Sequence, residues 1–229
     1  MNHVKFFLFA IFIIISTSCC GLPQIQTAPA FRYDPIQCGC QSLFPNHRIQ
    51  FVHSITFILP NGDIHVAIGI TTVSPETETI HCAIMTIEGM VLFEAEYNQK
   101  IIIHRSIPPF DSIEFAQNIL DDIRLALFKP TGRLINAGSL TPHSDICRYK
   151  QPDGMTVDVI THQNGNWEIH QYNTYCKQIK TIKACFTGER YYQISEKNKN
   201  IPSMYEITIP GIFGYSLKLE LIEVRQNPS

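Results

Sequence analysis

Residues Ile49 to Thr72 read IQFVHSITFILPNGDIHVAIGITT, two apolar-rich runs on either side of a turn. Ile49, Phe51, His53, Ile55, Phe57 and Leu59 alternate with Gln50, Val52, Ser54, Thr56 and Ile58. That period of two sends successive side chains to opposite faces of a strand. Asn61-Gly62 is the dipeptide that most favours a two-residue hairpin turn. With that turn, antiparallel pairing sets Leu59 opposite Ile64, Phe57 opposite Val66, Ile55 opposite Ile68 and Phe51 opposite Thr72. One face is then apolar. The other carries Ser54 with Gly69, Thr56 with Ala67 and Ile58 with His65, so the expected sheet is dry on one side and mostly small and polar on the other.

The pattern continues downstream. Thr79 to Ile87, Met90 to Tyr97 and Ile101 to Arg105 are separated by Glu88-Gly89 and Asn98-Gln99, which makes a meander of five strands ended by Pro108-Pro109. The period then changes. Ile113, Ala116, Leu120, Ile123 and Leu127 fall on one helical stripe with Phe115 and Ile119 beside it, predicting a helix from Ser112 to about Phe128. Asp111 with Glu114 reads as its capping box, Phe110 with Phe115 as a hydrophobic staple, and Pro130 as its stop. Further strands are expected at Thr156 to Thr161, Trp167 to Tyr172, Thr174 to Lys180, Ile182 to Thr187, Tyr191 to Ser195, Tyr205 to Ile209 and Tyr215 to Val224. The fold class is α+β, mainly β: a curved antiparallel sheet of about eleven strands, an incomplete barrel closed by one or two helices.

Upstream, Lys5 precedes an unbroken apolar run from Phe6 to Ile15, and Ser16-Thr17-Ser18-Cys19-Cys20-Gly21 follows. The run is too short to span a bilayer and reads as a secretory signal over residues 1–18. A Cys at the cleavage point resembles the signal of a bacterial lipoprotein, with Cys19 as the lipidated residue and Cys20 as the alternative; an ordinary signal beside a chance Cys pair is the other reading. The resemblance implies attachment to a membrane through the N-terminal lipid. Because Cys20 or Gly21 follows, and not Asp, it also implies sorting to the outer membrane, on the periplasmic face. Pro23, Pro29, Pro35 and Pro45 mark residues 19–46 as the lipidated N-terminus and a linker that packs in part at most, leaving 47–229 as the folded domain.

The order of these elements, with the stretches Gly89 to Tyr97 (GMVLFEAEY), Asp121 to Phe128 (DDIRLALF) and Gly214 to Leu217 (GYSL), resembles the LolA/LolB-like lipoprotein-sorting fold. It is most similar to a family of uncharacterised Gram-negative outer-membrane lipoproteins often encoded near aryl-polyene and fatty-acid-type biosynthesis genes. The resemblance implies an incomplete barrel closed by a helix around an apolar cavity that receives acyl chains. Phe51, Phe57, Ile68, Phe93, Tyr97, Ile119, Ile123, Leu127, Trp167, Tyr215 and Leu217 are the candidates for its lining. The alternative is that the same residues fill a solid core.

The other classes are weaker. A net charge of −2 without a basic stripe gives no ground for nucleic acid. The cluster of Lys177, Lys180, Lys183, Arg190, Lys197 and Lys199 reads as a solvated strand face, with contact to anionic lipid or an acidic partner as the alternative. No metal site and no cofactor are expected: Cys38-Gly39-Cys40 lacks the two-residue gap of zinc sites, and the hairpin register separates His53 from His65. The eight cysteines suit an oxidising compartment, with Cys176 to Cys185, and Cys38 or Cys40 to Cys82, as possible bridges, and buried small hydrophobes as the alternative. No hydrolase elbow, metalloprotease motif or phosphate loop is present, and His81 and Cys82 project to opposite strand faces. No catalytic residue is therefore named. The expected partner is a hydrophobic ligand (an acyl lipid, a polyene or a lipoprotein), with an accessory enzyme or a filled-core assembly lipoprotein as alternatives.

Overall fold

The computed structural model describes residues 21–26, 40, 43–58, 61–186, 201–211 and 214–226. Five strands come first: β1 (Ile49–Ile58), β2 (Ile64–Ser74), β3 (Thr79–Met85), β4 (Val91–Asn98) and β5 (Lys100–Ser106). The helix α1 (Ile113–Leu127) follows. Seven more strands complete the fold: β6 (Arg133–Thr141), β7 (Ser144–Lys150), β8 (Thr156–His162), β9 (Trp167–Tyr172), β10 (Gln178–Cys185), β11 (Met204–Ile209) and β12 (Tyr215–Gln226). All lie in one antiparallel sheet ordered β5-β4-β3-β2-β1-β12-β11-β10-β9-β8-β7-β6. The first and last strands meet in its middle, and β5 and β6 remain as unjoined edges with α1 in the connection between them. The expected class is thus found, an open curved sheet with a helix.

Several details differ from expectation. Twelve strands are present among the described residues. Arg133–Thr141 and Ser144–Lys150 are strands that sequence patterning does not show, and Thr174 to Lys180 with Ile182 to Thr187 resolves into the single strand β10. The side-chain oxygen of Asn173 accepts from the N–H groups of Tyr175 and Lys177, so a turn occupies the start of that stretch. The expected strand Tyr191 to Ser195 lies outside the described residues.

The hairpin register is shifted by one residue. Ile58 pairs with Ile64, Ser54 with Ile68, His53 with Gly69 and Phe51 with Thr71. Asn61 Oδ1 accepts from Asp63 N and Gly62 takes φ 87°, a conformation that favours glycine, and the ladder runs from Ile58 to Ile64 rather than to a two-residue turn. A slip of one residue moves every β2 side chain to the other face. Ala67, Gly69, Thr71 and Val73 therefore face inward, and Ile68 is turned to the outer face, away from the interior assigned to it.

Helix α1 starts one residue later than read. Ser112, not Asp111, is its N-cap, and its Oγ accepts from Phe115 N at 3.0 Å. The aromatic contact expected there is present, with the Phe110 and Phe115 rings 5.1 Å apart and Phe93 meeting Phe115 edge-on at 5.1 Å. The Phe128 N–H donates to Arg124 O at the far end.

The N-terminal segment is partly docked. Gln26 exchanges backbone hydrogen bonds of 2.9 and 3.1 Å with Ser139 on β6, and Arg148 donates to Pro23 O at 3.0 Å. Beneath it, Arg148 forms a bidentate pair with fully buried Asp158 at 2.6 and 2.7 Å. Cys40 is bonded to Cys147, and Cys176 is also in a disulfide, whereas Cys82 and Cys185 are free thiols. Neither the Cys82 bridge nor the Cys176 to Cys185 bridge forms. Cys40 and Phe44 fill the interior of the second half, where Phe44 packs 5.8 Å from Trp167.

Candidate functional site

Helix α1 lies across the inner face of the sheet and leaves a cavity of about 60 Å³ beneath it. The helix contributes Ile119, Asp122, Ile123, Ala126 and Leu127; opposite them stand Ile55 and Phe57 of β1, Ile84 of β3, Tyr205 and Ile207 of β11, and Leu217 and Leu219 of β12. The space exists because, apart from Ile84, β2 and β3 present only the small residues Gly69, Thr71, Cys82 and Ala83 there. Gly69 has no alternative without repacking, since a Cβ would stand 2.5 Å from Ile55 Cδ1. The shifted register is what brings these small residues inside. Had Ile68 taken the place of Gly69, the hollow would be filled.

The eleven residues proposed from sequence separate into groups. Phe57, Ile119, Ile123, Leu127 and Leu217 line the cavity together. Phe51, Phe93 and Trp167 are fully buried in the packed core around it, with Trp167 edge-on to Tyr205 at 6.0 Å. Tyr97 lies under the Arg124 guanidinium, 4.8 Å from its ring centre. Tyr215 stands at the seam between helix and sheet, and Ile68 is outside. Cys19 and Cys20 fall outside the described residues.

Sequence reasoning missed the polar part of the site. Asp122 is buried, 2% exposed, although it sits on the helix stripe with Ile119, Ile123 and Ala126. Its Oδ1 accepts from Lys180 Nζ of β10, and its Oδ2 accepts from Tyr215 OH at 3.2 Å. Burial holds the Asp122 carboxyl above its ordinary range, against the opposing pull of Lys180 and Tyr215. Burial and the neighbouring carboxylate raise the Tyr215 phenol as well. Lys180 is therefore not a solvated residue but half of the clasp that ties α1 to the sheet. The available signal was a carboxylate in line with an apolar stripe, which needs a cation from another element.

His53, 3% exposed, also lines the cavity, and its Nε2 has no hydrogen-bond partner. Burial pulls its pKa down to about 4, so the ring is neutral. It does not activate Cys82, whose thiol is buried and pushed up to about 12. His81 faces outward to Glu94 at 3.2 Å. In the observed register His53 and His65 fall on the same face of the sheet, not on opposite ones, but four residues of strand apart, with His53 buried and His65 exposed. Among the described residues no group of three or more His, Cys, Asp or Glu could hold a metal, and no helix is long and apolar enough to cross a membrane. A larger groove of about 480 Å³ on the outer face, lined by Arg48, Thr72, His81 and Glu96, is open and polar and encloses nothing.

No family model matches the chain, and no curated protein matches it. Among solved structures, a LolA superfamily protein from Nitrosomonas europaea is similar over 84% of this chain and 92% of its own, with a TM-score of 0.56 at 12% identity. An outer membrane lipoprotein-sorting protein domain from Vibrio parahaemolyticus aligns over 83% of this chain and 90% of its own, with a TM-score of 0.44 at 9% identity. The first likeness shows that the chain has the LolA/LolB-like fold.

Proposed function

We propose that this chain is a lipoprotein of the bacterial envelope that binds an acyl-type lipid, a polyene or the lipid of another lipoprotein between α1 and the inner face of its sheet. The observation that carries the reading is the apolar cavity under a helix held by a buried polar clasp, Asp122 to Lys180 and Tyr215, with a more exposed pair of Arg124 and Glu78 at 2.9 Å besides. At about 60 Å³ the hollow has room for a few waters but not for an acyl chain, so it is the closed state of a site that opens. Lifting α1 parts the clasp and lets water reach both charges. Ten buried methylenes supply about 8 kcal/mol, enough to offset an opening cost of a few kcal/mol and leave transient capture. Binding rather than covalent chemistry is the role this site suits. The likeness to a LolA superfamily protein supports the same reading.

Anchorage by a lipid on Cys19, with Cys20 as the alternative, belongs to this proposal, as does the periplasmic face of the outer membrane. Gly21 is held close to the turn between β9 and β10, where a Cβ would stand 4.0 Å from the Cys176 carbonyl oxygen. That turn carries Tyr175, 87% exposed, an amphipathic side chain suited to a membrane interface. Native mass spectrometry of protein purified without detergent tests the binding role. A mass increment of an acyl lipid, lost in an Ile119→Trp variant that remains folded, is expected; a protein that stays unliganded when offered palmitate overturns it.

A further inference from the structure

Among the described residues, the cavity wall holds one fully buried side-chain nitrogen without a hydrogen-bond partner, on His53. Asp122 is engaged by Lys180 and Tyr215, whereas His53 Nε2 is buried with nothing to bond. Its ring is fixed between Phe51, stacked at 5.8 Å, and Tyr205, edge-on at 6.0 Å, with Gly69 opposite on β2. A leucine or phenylalanine would suit such surroundings, because a buried polar atom left unpaired is unfavourable. An imidazole is useful there if what enters the cavity supplies the missing partner.

The setting restricts that partner's chemistry. A carboxylate at His53 would be a buried charge without a cation, since Lys180 is committed to Asp122 and the ring is kept neutral by burial. A neutral imidazole has one donor and one acceptor nitrogen, and a hydroxyl, which is uncharged and both donates and accepts, pairs with Nε2 in either tautomer. We propose that the preferred occupant of the cavity is an acyl chain bearing a hydroxyl group partway along its length, hydrogen-bonded to His53. This rests on the lipid-binding reading above and specifies its ligand.

Calorimetric titration of the delipidated mature protein with palmitate, and with palmitates carrying one hydroxyl at successive positions, tests it. One position, or two adjacent ones, is expected to bind about five- to tenfold more tightly than palmitate, the worth of one net hydrogen bond. His53→Gln, which retains a donor and an acceptor, keeps a positional preference. His53→Phe loses it and binds plain palmitate at least as well as the parent. Equal affinity for every isomer, or a preference unchanged in His53→Phe, overturns the inference while leaving lipid binding intact. Failure of the folded protein to bind any of the chains overturns the lipid reading and this inference with it.

Discussion

At His53, burial and chemistry act in opposite directions. The ring is neutral when folded, with its pKa near 4, while the unfolded chain takes a proton near 6.5. Between those values only the unfolded state binds the proton, so stability is full above about pH 6.5 and falls as pH drops towards 4. The loss attributable to this one residue reaches about 3 kcal/mol. Urea unfolding at a series of pH values should show that slope, and His53→Phe should flatten it; an identical profile in the variant would remove His53 as its cause. Period-two alternation was enough to place His53 on the inner face. It was not enough for Asp122 and Lys180, because each lies on an element whose own pattern gives no hint of the other, and only the folded chain brings helix and strand together.

Among the elements, most strands and the helix were legible because each has one dry and one wet side. β6 and β7 were not. Asn136 and Gly138 weaken the strand pattern of the first, and the second carries Arg148, a charge buried against Asp158 and covered by the N-terminal segment. The hairpin register failed for a different reason. The turn dipeptide was recognised, but loop length sets which face is inside, and one residue decided whether Ile68 or Gly69 looks into the hollow. The bridge from Cys40 to Cys147 was equally hidden, since it joins residues 107 apart through a strand the pattern did not reveal. Closing so long a loop restricts the unfolded chain, and Cys147→Ala should cost about 2–4 kcal/mol by denaturant unfolding. A loss under 1 kcal/mol would mean that Cys40 and Phe44 stay packed without the bond.

For the whole molecule, pairing of the first and last strands at the sheet's centre leaves both edges to be bridged by the segment that carries α1. A cover attached through connections at its two ends, and seated over Gly69, Thr71 and Cys82, is the part whose movement the proposed function requires. The segment from Gly21 to Gln26 is docked against β6 and Arg148. Cys19→Ser is expected to abolish incorporation of radiolabelled palmitate and to release the protein from the membrane fraction, while Cys20→Ser leaves both unchanged; the reverse pattern would assign the lipid to Cys20. Nuclear Overhauser contacts from 13C-labelled palmitate to the methyl groups of Ile119, Ile123 and Leu217, with none to Ile68 on the outer face, are the predicted result; contacts to Ile68 without contacts to the other three would contradict it.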